Sequence, residues 1–245
     1  MNDTNPPAPA PSAPPPLHPS PAPIDTRPVA GVGAAVEAIL HQPLRVSHHF
    51  RQLQGAASLT ATFVGVALAA ALAYGLAVGA FSGGTQWWAA PVKMAVGLLA
   101  SALICLPSLF IFACLSGSTA RLREVVGLLA GLLALMTILL VGFAPVAWVF
   151  SQSTESVVAM GVLHLAFGAV ATGFALRFLD VGLSERGGQL GGVRIWMVIF
   201  VLVLVQMTTA LRPLLGTADT FLPTEKRFFL SHWSECLRDQ AKGAE

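Results

Sequence analysis

The chain has 245 residues, of which 55% are hydrophobic and 11% charged, with a mean hydropathy of +0.71. Soluble domains carry about a quarter charged residues, so the composition excludes an ordinary water-soluble fold and points to an all-α polytopic membrane protein. A formal charge of +2 gives no basis for nucleic-acid binding, and three cysteines are too few for a disulfide framework.

Residues 1–31 read as a disordered proline-rich tail, with eleven prolines between Pro6 and Pro28. Proline fixes φ and removes a donor, and little apolar mass is present to offset the entropy of ordering. Such a polyproline-II-biased tail is expected either to dock a cytoplasmic partner through an aromatic groove or to act as a spacer. No basic start followed by an apolar run occurs before residue 56, so the first span is expected to direct insertion. Residues 32–54 predict an amphipathic juxtamembrane helix. Val46, Phe50 and Leu53 recur at i, i+4 and i+7, opposite Arg45, His48, His49 and Gln52. The expectation is a helix lying on the bilayer, the alternative one that packs on the protein's own loops. Gly31-Val32-Gly33 does not open a dinucleotide fingerprint, because position 36 is Val36 and no strand precedes it.

Five apolar blocks follow at about 58–81, 94–115, 125–148, 157–178 and 195–211, within a transmembrane domain over 55–213. Each is near the ~20 helical residues that cross a ~30 Å hydrocarbon layer, and none carries Asp, Glu, Lys or Arg in its central part. A five-span transmembrane helical bundle is predicted, with residues 214–245 as a polar tail that can form a short amphipathic helix; the alternative is a sixth, half-inserted segment around Phe228–Trp233 that returns the tail to the inner side. With the N-terminus cytoplasmic, Arg45, Arg51, Arg121, Arg123, Arg177, Arg186 and Arg194 lie inside, against Lys93 alone in the outer loops. Five spans then put the C-terminus outside. Trp87, Trp88 and Trp148 are expected at the outer headgroup level, and Trp196 at the inner one.

Helices in lipid associate through close backbone approach at small residues. The candidate packing pairs are Gly65/Ala69, Gly75/Gly79, Gly97/Ser101 and Gly127/Gly131, with Gly161, Gly168 and Thr172 on one face of the fourth span. Pro107, in the middle of the second span, must free the carbonyl four residues back and is the candidate kink; Pro145 marks a bend near the end of the third.

His164 is the one ionisable side chain well inside the blocks. Counted from Val157 it lies about 10 Å deep, and Gln206, counted back from Leu211, about 8 Å from the same outer edge. A His164–Gln206 hydrogen bond between spans four and five is therefore expected, with Thr209 nearby. The competing reading is a proton or ligand site at His164. No cofactor and no metal are expected: His164, Cys105 and Cys114 have neither the number nor the spacing of zinc ligands. Cys105 and Cys114 read as small buried hydrophobes, Cys236 as an exposed thiol. No nucleophile elbow, His-Glu-x-x-His pair or P-loop is present, so no enzymatic activity is expected.

Pro91-Val92-Lys93 entering the second span and Cys105-Leu106-Pro107-Ser108-Leu109-Phe110 within it resemble the Yip1-type family of five-span membrane proteins, over about 58–212. The resemblance implies the five-span architecture and the cytoplasmic N-terminal region. The acidic-aromatic Gly-Pro motif of eukaryotic members is missing; here the stretch reads Leu53-Gln54-Gly55-Ala56, and no trafficking role or GTPase partner carries over. The bias towards Ala, Leu, Arg and Gly suits a high-GC bacterial source and hence the inner (plasma) membrane. The expected function is that of a scaffold or accessory subunit, in contact with the bilayer and with other membrane subunits or a second copy. The alternative is a small transporter or channel with a path near His164 and the kinked second span.

Overall fold

A computed structural model describes residues 29, 31–52, 55–82, 86–153, 157–184 and 190–210. The proline-rich stretch before residue 29, Cys236 and the 214–245 tail lie outside the described residues. The elements are α1 (Val32–His41), α2 (Pro43–Arg51), α3 (Ala56–Ser82), α4 (Gln86–Leu115), α5 (Leu122–Ser153), α6 (Val157–Ser184) and α7 (Leu190–Ala210), with no strand among the described residues. Among the described residues, α3 to α7 are the five helices long and apolar enough to cross a membrane. The chain is an all-α membrane protein.

The helices outrun the apolar blocks because local chemistry, not hydropathy, ends them. α4 begins at Gln86 and runs through both Pro91 and Pro107. It stops in a Schellman turn: Gly117, at φ +82°, donates its N–H to the Cys114 carbonyl, and Ser118 donates to Ala113. α5 starts where the Glu124 carboxylate reaches back to the Arg121 backbone N–H at 3.3 Å, which satisfies an orphan donor and places an acid at the positive helix end. α5 continues past Pro145 to Ser153.

Neighbouring helices are antiparallel. Along α5 and α6 the contacts run Leu128 to Gly182, Gly131 to Phe178, Met136 to Thr172 and Phe143 to Phe167, one number rising as the other falls. Between α4 and α7 the same holds for Ser116 with Gly192 and Cys105 with Trp196. α5 is the centre: α3 and α6 pack along it, α4 and the N-terminal helices touch it, and most of its surface is buried. α7 lies chiefly against α4. Much of α6 and α7 faces outward.

The stretch 32–54 is two helices rather than one, because Pro43 opens α2 and cannot continue α1. Nor does its apolar stripe rest on lipid. Val46 and Phe50 are fully buried and Ile39 nearly so. Gly127 and Gly131 of α5 are why: a Cβ on Gly127 would fall 2.5 Å from the Phe50 ring, and one on Gly131 would meet Phe178 and Ile39. Ser47 Oγ reaches the Gly182 carbonyl of α6 at 3.5 Å. The α1–α2 hairpin is thus part of the bundle's core at the end where α5 begins and α6 finishes.

Candidate functional site

Among other contacts, polar side chains join helices inside the bundle at two clusters. In the first, the Tyr74 hydroxyl of α3 and His164 Nδ1 of α6 are 2.6 Å apart, with the rings edge to face at centroids 5.6 Å apart. Tyr74 is 2% exposed. Phe167 stands one turn below His164, also edge to face, and stacks flat on Phe143 of α5 at 4.7 Å. Tyr74, His164 and the two phenyl rings therefore tie α3, α5 and α6 together near the end opposite α1–α2. A short phenol–imidazole hydrogen bond in a medium without competing water stabilises such an assembly by about 0.5–2 kcal/mol.

The expected His164–Gln206 bond is not formed. His164 turns Nδ1 to Tyr74, and its enclosed Nε2 has no hydrogen-bond partner among the described residues. The reason is helix arrangement. α7 leans on α4 and meets α6 far less, so equal depth does not make His164 and Gln206 neighbours. Gln206 is half-buried on α7, and the Thr209 side chain lies outside the described residues.

The second site surrounds Pro107. Missing its N–H, Pro107 leaves one backbone bond of α4 unmade. One turn of polar contacts gathers there. Ser108 Oγ donates to the Cys105 carbonyl at 2.8 Å, and the Trp196 indole N–H of α7 donates to that carbonyl at 3.0 Å and to Ser108 Oγ at 3.1 Å. Trp196 is fully buried, stacked on Phe200 at 5.0 Å. Its expected place at the headgroup level is therefore corrected: the indole finds its acceptors inside the protein. Trp87, Trp88 and Trp148 are all exposed.

The small residues divide into three groups. Gly75 admits the Pro91 backbone, with which any Cβ there would overlap, and Gly127, Gly131 and Gly182 admit Phe50, Phe178 and Leu128. Gly79, Gly97 and Ser101 are buried, and Ser101 Oγ donates to the Gly97 carbonyl at 2.7 Å. Gly65 and Ala69 are exposed, Gly161 and Gly168 half-buried, and a Cβ on Gly65 or Gly168 would meet nothing within 4 Å. Lys93 belongs to α4 rather than to a loop and is 1% exposed. Cys105 is buried, but Cys114 is exposed, contrary to its reading as a buried hydrophobe, because it faces outward near the end of α4.

Outside the spans, His49 of α2 is buried beside Gly55, which turns the chain into α3 at φ +87°. Burial holds its imidazole below the usual basicity, Arg45 and His48 push the same way, and a hydrogen bond to the Gly55 backbone opposes them. No group of three or more His, Cys, Asp or Glu side chains gathers as metal donors among the described residues. Compared with known proteins, the chain matches no family model, no curated protein and no solved structure.

Proposed function

We propose that this membrane protein is a non-enzymatic scaffold or accessory subunit of a membrane complex, held with α1–α2 on the cytoplasmic side of an inner membrane. One observation carries the reading: hydrogen bonds inside the bundle join its own helices. Trp196 clasps α4 and Tyr74 clasps α6, while Thr137 Oγ1 is satisfied within its own helix, donating to the Leu133 and Ala134 carbonyls at 2.9 and 3.1 Å. Around that core, α6 and α7 turn Val162, Leu165, Val170, Phe174, Val198 and Leu202 outward, an apolar surface suited to another membrane subunit or a second copy. The proline-rich segment is the cytoplasmic docking element of this reading. The Yip1-type resemblance is taken as one of architecture, without a trafficking role.

The test is a pull-down of the full chain from native membranes in mild detergent. The reading expects a stoichiometric membrane partner or a defined homo-oligomer that survives removal of bulk lipid. Monomer without partner, together with solute flux in liposomes that is lost in His164→Leu, would replace it with a transporter.

A further inference from the structure

The exposed arginines of the described residues lie towards one end of the bundle: Arg51 at the end of α2, Arg121 and Arg123 where α5 starts, Arg177 late in α6 and Arg194 early in α7. Two of them are set apart by depth. Arg177 lies seven residues before the end of α6 and Arg194 four residues after the start of α7, about 10 and 6 Å along their axes. Both are inside the segments apolar enough to cross the membrane, on neighbouring antiparallel helices. Around them the outward side chains are apolar: Phe174 and Ile195 are each 57% exposed and Val198 69%.

No carboxylate among the described residues pairs with either guanidinium. Asp180, one turn beyond Arg177, keeps Oδ1 enclosed and without a partner. A cation at this level must extend its side chain to the headgroups or meet an anion there. The phosphate of a phospholipid is the anion tethered at that depth, and a guanidinium matches it with two parallel hydrogen bonds. Arg121 and Arg123, at the same end of the bundle, add to the positive charge there, which favours a lipid of net negative charge over a zwitterionic one.

We infer that Arg177 and Arg194 seat the headgroup of an anionic phospholipid on the outer face of α6 and α7, with its acyl chains along Phe174, Ile195 and Val198. The purified full chain in mild detergent is titrated with dioleoylphosphatidylglycerol, dioleoylphosphatidylcholine or inorganic phosphate, and bound lipid is read by native mass spectrometry and by the thermal unfolding midpoint. Phosphatidylglycerol should bind and raise the midpoint, with an effect that shrinks in high salt. R177Q/R194Q should weaken this binding about thirtyfold, while R121Q/R123Q changes it less than threefold. Equal binding of phosphatidylcholine, an equal effect of inorganic phosphate, or unchanged phosphatidylglycerol binding by R177Q/R194Q would each overturn the assignment.

Discussion

At the scale of single residues, the Tyr74–His164 contact is the sharpest test of what holds the spans together. Tyr74→Phe leaves His164 Nδ1 buried without its partner, a loss of about 1–3 kcal/mol. A double-mutant cycle with His164→Leu should return a coupling of about 0.5–2 kcal/mol, measured by unfolding in mixed micelles; a coupling near zero would mean that the short contact contributes nothing. Gly127→Val should cost about 1–3 kcal/mol by overpacking against Phe50, and Phe50→Ala in that background should recover part of it. Half of the polar site was legible in the chain. Tyr74 is the only tyrosine and lies seven residues from the end of its apolar block, the same depth at which His164 lies in its own. Depth can be counted from a sequence, but which helix stands beside which cannot, and that is why the sequence alone pairs His164 with Gln206 and misses Tyr74.

Among the elements, α1–α2 departs furthest from expectation, and for a physical reason. Val46 and Phe50 are buried as the stripe predicts, Leu53 lies outside the described residues, and His49, expected on the polar face, is buried too; a stripe states only that something apolar covers it. Gly127, far along the chain in α5, admits the Phe50 ring and so decides that protein covers it rather than lipid. The docking of α2 should respond to acid. His49 has a folded-state pKa below the ordinary 6.5, so the undocked form takes up a proton more readily. The docked state is fully favoured above about pH 6.5 and loses stability as pH falls below it towards the folded value. The protection factor of the amides over residues 43–51, the observed rate set against intrinsic exchange at the same pH, should therefore fall between pH 7 and pH 5, and His49→Gln should flatten that dependence. A protection factor equal at both pH values in the parent chain would dismiss His49 as the cause. For α4 and α7, Trp196→Phe keeps the stack on Phe200 but removes both indole hydrogen bonds at Pro107; a loss of about 1–2 kcal/mol is expected from thermal unfolding.

For the whole molecule, the number of spans was readable because it depends on composition in windows of about 20 residues, a bulk property that tolerates errors at either end. Their ends were not, since Gly117 and Glu124 act through a turn and a cap that hydropathy does not weigh. The chain should stay in the pellet after carbonate washing, and a tag before residue 31 should be shielded from protease in intact cells while one at residue 154 is cut; the reverse pattern would invert the orientation. The encasement of α5 carries one more consequence. Among the described helices it has the highest hydropathy, yet α3, α4, α6 and the α1–α2 hairpin stand between most of it and the bilayer. A photoreactive fatty-acyl probe dissolved in the membrane would thus tag α6 and α7 heavily and reach α5 chiefly near its end, at Val146, Trp148, Val149 and Phe150, so that the rank order of greasiness along this polypeptide is not the rank order of solvation by fat.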